Sequence, residues 1–171
     1  MEQTHSNPFL SGVPLFVAPS ASVTGKVFLG EDASLWHNTT LRGDIAPIYV
    51  GARTNIQDGA VLHVAEDLPC RVGKDVTVGH GAIVHACTVG DRCIIGMGSI
   101  ILNGAAIAED SIVGAGALVT EGKSFPPRSL IIGSPAKAVR SLGDDEVAHI
   151  RESASIYCNL AKEAAVEAIS K

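Results

Sequence analysis

The chain has 171 residues, a formal net charge of −5, 46% apolar residues but only 4% aromatics, and 18 glycines. That length fits one domain with a real core, and the acidic balance argues against a nucleic-acid partner, which selects basic surfaces. With no Lys/Arg cluster and no run near the roughly 18 apolar residues of a spanning helix, no membrane partner is expected.

Residues 1–16 read as an N-terminal extension. They carry no basic n-region and no long apolar run, so no secretory signal is expected. A cytoplasmic protein follows, with the mitochondrial matrix as the other compartment. The four cysteines, Cys70, Cys87, Cys93 and Cys158, show no CxxC spacing and read as reduced, partly buried thiols.

From residue 17 to 120 one pattern dominates. Val17, Val23, Leu29, Leu35 and Leu41 are each six apart, and so are Val89, Ile95, Ile101, Ile107, Val113 and Val119. Between these runs stand Val50, Ile56 and Leu62, then Val72, Val78 and Val84, with insertions after Leu41 and Leu62 and a one-residue deletion after Val84. Small residues recur four positions after the aliphatic, and Gly often follows it directly. Period six suits neither an amphipathic helix nor a half-buried strand. It suits stacked triangular coils whose bulky aliphatics fill a narrow prism. The pattern resembles the hexapeptide-repeat proteins, and the expected fold is an all-β left-handed parallel β-helix.

Pro126-Pro127 and Gly133-Ser134-Pro135 make residues 121–143 read as a loop. From 144 to 171, apolar residues recur at three- and four-residue steps behind Asp144, Asp145 and Glu146, which predicts a C-terminal α-helix packed back on the prism.

Stacking the coils places the histidines. The residue after the third-face aliphatic reads Arg42, His63, His85, Leu102 going up the column. Two residues after the second-face aliphatic the column reads His37, Asp58, His80, Met97. His63 and His85 therefore lie on adjacent rungs, close enough to converge on one metal. His80 lies on another face, where a neighbour across a threefold axis supplies it most simply. The expectation is a homotrimer with three inter-subunit sites, each holding Zn²⁺ through His63 and His85 of one chain and His80 of the next. A three-His site leaves a position open for water. Fe²⁺ or Co²⁺ fits the same ligands. His5, His37 and His149 read as surface or packing residues.

The run Arg42-Gly43-Asp44, then Asn55-Ile56-Gln57-Asp58-Gly59, His63, Gly79-His80 and His85 resembles the γ-class carbonic anhydrases. The resemblance implies CO₂ and bicarbonate as substrate and product, and His63, His80 and His85 as metal ligands. It implies that Arg42, Asp44 and Asp58 hold the trimer interface. It also implies that Gln57 sits beside the reactive water, that Glu66 shuttles protons, and that Tyr157 and Asn159 reach the site from the C-terminal helix. Two departures stand out: Ile45 occupies the position of a family glutamate, and the segment from Glu66 to Val72 is shorter than the family's acidic loop. Two rival functions remain open on these residues: an acyl-CoA thioesterase or acyltransferase on the same fold, and a non-catalytic metal-binding structural trimer.

Overall fold

The computed structural model describes residues 13–169. Eighteen strands, most of two or three residues, precede one helix among them. They stack in three parallel columns, which makes the chain a left-handed parallel β-helix. One column registers Leu29, Val50, Val72, Val89, Ile107 and Phe125. The second registers Val17, Leu35, Ile56, Val78, Ile95, Val113 and Ile131. The third registers Val23, Leu41, Leu62, Val84, Ile101 and Val119. The three columns thus contain every face assignment made from the period of six. Strands Ser22–Leu29 and Thr40–Val50 run through a corner and join two columns into one sheet.

The aliphatics that set the period point inward. Leu29, Leu35, Leu41, Ile56, Leu62 and Ile101 are fully buried, each contributing about 1.5–3 kcal/mol of hydrophobic stabilisation. Most corners need a left-handed residue three positions after the aliphatic. Gly59, Gly81, Gly98 and Gly116 meet it at φ between 63° and 69°. L-residues meet it too, among them Arg53, Arg92 and Arg128, against a strain on the order of 1 kcal/mol or more. Each of these arginines bonds an aspartate further along the chain: Arg53 to Asp75 at 2.6 Å, Arg92 to Asp110 at 2.7 Å and Arg128 to Asp144 at 2.5 Å.

Residues 121–143, expected as a loop, instead hold three strands: Ser124–Phe125, Ser129–Gly133 and Ala136–Ser141. Phe125 and Ile131 carry the period of six onward from Val119, pairing with Ile107 and Val113. Pro126-Pro127 turns a corner rather than ending the solenoid, and the Ser129 hydroxyl donates to the Pro126 carbonyl at 2.7 Å. The last strand folds back antiparallel on its predecessor. The solenoid also begins a residue early, in strand Phe16–Val17. His5 and most of the N-terminal extension lie outside the described residues.

Helix α1 (Asp144–Ile169) lies along the second face, with Ile150, Ala154 and Ala161 fully buried. Its first turn is anchored by Glu146, which accepts from the Gly143 N–H at 3.0 Å and from both terminal nitrogens of Arg140. No helix among the described residues is long and apolar enough to cross a membrane. All four cysteines are unpaired and buried.

Candidate metal centre

Strand alternation sets this site. In Val61–His63 and Ile83–His85 the central residue, Leu62 or Val84, points into the prism, so each histidine points outward. Register then places His85 directly over His63 and His63 over Arg42. His63 Nδ1 lies 3.0 Å from His85 Nε2, with ring centroids 5.0 Å apart.

The outer nitrogens are both engaged. His85 Nδ1 lies 2.6 Å from Asn103 Oδ1, so it donates there and the lone pair falls on Nε2. His63 Nε2 lies 3.2 Å from Asp44 Oδ1. Asp44 also accepts from the Arg42 guanidinium and the Ile45 N–H. Desolvation pushes the Asp44 carboxyl up, but the hydrogen bonds from Arg42 and His63 outweigh it and hold the group below its ordinary value.

His80 follows Gly79 at the edge of the second face, half exposed, with Nδ1 2.9 Å from Asp58 Oδ2. All three histidines therefore have one ring nitrogen held by a side-chain oxygen, and the remaining nitrogens of His63 and His85 face each other. Metal-binding histidines are oriented by this kind of partner. The facing nitrogens, 3.0 Å apart, also approach the roughly 3.3 Å edge of a tetrahedron with Zn–N bonds near 2.05 Å. The donor set fits a divalent ion of the zinc type. Among the described residues no single-chain cluster of three His, Cys, Asp or Glu side chains suits a metal.

Gln57 is buried on the second face and donates from Nε2 to Asn55 Oδ1 at 3.1 Å. Asn55 Nδ2 in turn donates to the Thr77 hydroxyl at 3.0 Å. Above Gln57 the column reads Gly79, Gly96, Gly114. A methyl group at Gly96 would sit 2.5 Å from the Ala115 backbone nitrogen, so the close approach of rungs excludes side chains there. The result is a groove of about 340 Å³, with Gln57 and His80 at one end and Ile94, Ile112 and Met97 along it. Tyr157 of α1 closes its side and packs edge-on against Trp36, at 5.6 Å between centroids. Burial, and then the Asp58 charge, push the Tyr157 phenol up, so it remains a hydroxyl.

The structure thus brings Arg42, Asp44, His63 and His85 together, and separately Gln57, Asp58, His80 and Tyr157. Glu66 stands exposed in the tight turn Ala65–Leu68. Asn159 is exposed and turned about 200° around α1 from Tyr157. Sequence reasoning missed Asn103, although it lies one coil above His85. It also gave no role to Asn55 or Thr77, whose outward positions flank buried aliphatics of the second column.

Residues 86–121 match the family described as bacterial transferase hexapeptide (six repeats). A mitochondrial γ carbonic anhydrase of Arabidopsis thaliana is 44% identical over 154 residues, 86% of this chain and 55% of that protein. A carbonic anhydrase of Geobacillus kaustophilus is 47% identical over 132 residues, 77% of this chain and 72% of its own. A hexapeptide transferase family protein of Anaplasma phagocytophilum shares the fold at TM-score 0.77 and 39% identity, over 86% of this chain and 90% of that one. The chain spans a little over half the length of the Arabidopsis relatives, 55% and 58%. The solenoid defines a hexapeptide-repeat β-helix protein, here with an outward histidine pair on its surface. Within that class, the chain belongs to the γ-carbonic anhydrase family.

Proposed function

We propose that this chain catalyses the reversible hydration of CO₂ to bicarbonate as a cytoplasmic homotrimer. In each inter-subunit site His63 and His85 of one chain and His80 of the next hold Zn²⁺, with Fe²⁺ or Co²⁺ able to take the same ligands. The observation that carries this reading is the set of three histidines, each pinned at one nitrogen by Asp44, Asn103 or Asp58, with the other nitrogens of His63 and His85 facing each other at 3.0 Å. Ile45 and Met97, large apolar side chains 61% and 58% exposed beside Asp44 and His80, support burial of this surface against another copy. Arg42, Asp44 and Asp58 would hold that interface in register.

A zinc-type ion supplies Lewis acidity that makes water nucleophilic near neutral pH. The protein's part is orientation. Gln57 donates away from the site, which leaves Oε1 as an acceptor for a water hydrogen and aims a lone pair at CO₂. A C–O bond forms, bicarbonate leaves, and one proton remains to be exported. Glu66, exposed on its turn, carries it to buffer. Tyr157 offers a hydroxyl, and Asn159 is the second α1 side chain assigned to the site. Ile45 in place of a glutamate, together with the short turn after Glu66, predicts proton-limited turnover.

The test is metal content and stopped-flow CO₂ hydration of zinc-loaded protein beside His80→Ala. About one metal per chain and activity lost with the mutation is the expected result. Absence of metal after loading would refute the site. A second reading has one observation in its favour: a groove of 340 Å³ beside His80 far exceeds what CO₂ fills. Stoichiometric metal, no hydration and hydrolysis of acyl-CoA would identify a thioesterase on the same histidines.

A further inference from the structure

The Gln57 amide is the inner end of a directed hydrogen-bond chain that reaches α1. Gln57 Nε2 donates to Asn55 Oδ1 at 3.1 Å, and Asn55 Nδ2 donates to Thr77 Oγ1 at 3.0 Å. Thr77 Oγ1 lies 3.1 Å from Ser153 Oγ on α1. Asn55, Gln57 and Thr77 are at most 5% exposed, so water cannot substitute freely for any of these partners.

The sense of such a chain has two solutions. In one, each donor points from the site toward the helix, and Gln57 presents oxygen to the groove. In the other, both amides are flipped, the Thr77 hydroxyl donates to Asn55, and Gln57 presents N–H. One contact selects the first: the Val76 carbonyl, which can only accept, lies 3.4 Å from Asn55 Nδ2. Either hydroxyl of the Thr77–Ser153 pair can donate; with Asn55 Nδ2 donating to Thr77, the Thr77 hydrogen is left to turn to Ser153 Oγ on the helix. Aligned bonds in a dry interior also polarise one another.

The geometry points to Thr77 and Ser153 as positioning residues through which docking of α1 sets Gln57 as an acceptor at the reaction site. This rests on the hydration reading for its kinetic consequence, but the amide orientation is testable without it. The neighbouring Tyr157, one helical turn beyond Ser153, lines the same groove, so one face of α1 both closes the groove and sets its polar end.

The experiment uses full-length protein carrying Thr77→Val, Thr77→Ser and Ser153→Ala. Side-chain amide resonances are assigned by their loss in Asn55→Asp and Gln57→Glu. In the unmodified protein the Gln57 Nε2 protons should exchange slowly. In Thr77→Val and Ser153→Ala the Asn55 and Gln57 amide signals should shift and exchange faster, and Thr77→Ser should restore them. In zinc-loaded protein kcat should fall by about three- to tenfold in Thr77→Val. Inhibition by azide should tighten at the same time, because a flipped amide turns N–H toward an anion. A simple packing defect would not move these two in opposite directions. Unchanged amide signals in both variants, with only a lower Tm, would overturn the inference. A protein inactive in hydration whose amide signals respond as stated would refute the proposed function and leave the positioning role standing.

Discussion

Asn103 gives the sharpest quantitative test of the metal centre. Its Oδ1 accepts from His85 Nδ1, at 2.6 Å, and that bond fixes the tautomer that places a lone pair on Nε2. Asn103→Ala removes that preference and frees the ring to rotate. Loss of an outer partner of a metal-binding histidine typically weakens metal affinity about 10- to 100-fold, which is about 1.4–2.8 kcal/mol. The cost to folding should be smaller, about 0.5–1.5 kcal/mol, because the pair is only partly buried. Zinc affinity read by competition with a chromophoric chelator separates the two effects, since urea unfolding of metal-free protein reports folding alone. Asn103→Asp should move affinity the other way, because a carboxylate makes the imidazole a stronger donor. An alanine variant binding zinc within twofold of the parent, or an aspartate variant binding more weakly, would refute the assignment of His85 Nε2 as a ligand atom.

Glu146 sets a pH-dependent contribution at the start of α1. Bonds from Arg140, then from the Gly143 N–H, lower its carboxyl from 4.5 to about 2. That stabilisation is full above pH 4.5 and is lost as pH falls through about 2; Glu146→Gln should therefore lower Tm at pH 7, with the gap closing in acid, as thermal scans across pH will show. Gly96→Ala should destabilise by at least about 1–3 kcal/mol, read as a lower urea midpoint, because its methyl meets backbone rather than a flexible side chain. Chelation should lower Tm and loosen the proposed trimer, and zinc at about 100 times Kd should restore about 2.7 kcal/mol. Glu66→Gln should slow hydration in dilute buffer and recover with added imidazole, while equal slowing at all buffer concentrations would remove Glu66 from proton export.

Legibility followed how local each cause is. The inward aliphatics repeat without exception over long runs, so columns and register follow from counting, and with them the stacking of His63 on His85. The end of the solenoid was harder to read, because Phe125 replaces an aliphatic and Pro126-Pro127 resembles a terminator. Only pairing with Ile107 and Val113 shows the period continuing. The left-handed corners were equally hidden: Arg53, Arg92 and Arg128 are poor candidates for positive φ by residue type. Asn103 was missed because Leu102 stands above His85 in the column, and Asn103, one position further, reaches the ring only through its side chain. The chain from Gln57 to Ser153 crosses to a helix 76 positions away from Thr77, a separation no periodicity reports.

His63 and His85 lie where the repeat breaks, whereas His80 and the groove beside it stand on regular rungs. The three irregularities follow Leu41, Leu62 and Val84, at one corner on three successive rungs of the third column. The first leaves Asp44 in reach of His63, and the second holds Glu66 on an exposed turn. The regular rungs above hold these irregular ones rigid, since Ile101 and Val119 continue the same column without interruption. A frame restored by inserting one residue after Val84 should keep the fold, because the core aliphatics retain their partners. It should nevertheless displace His85 from Asn103 and weaken the histidine pair. For the histidine pair, deviation from the repeat, more than the repeat itself, is therefore the feature that sets which side chains meet.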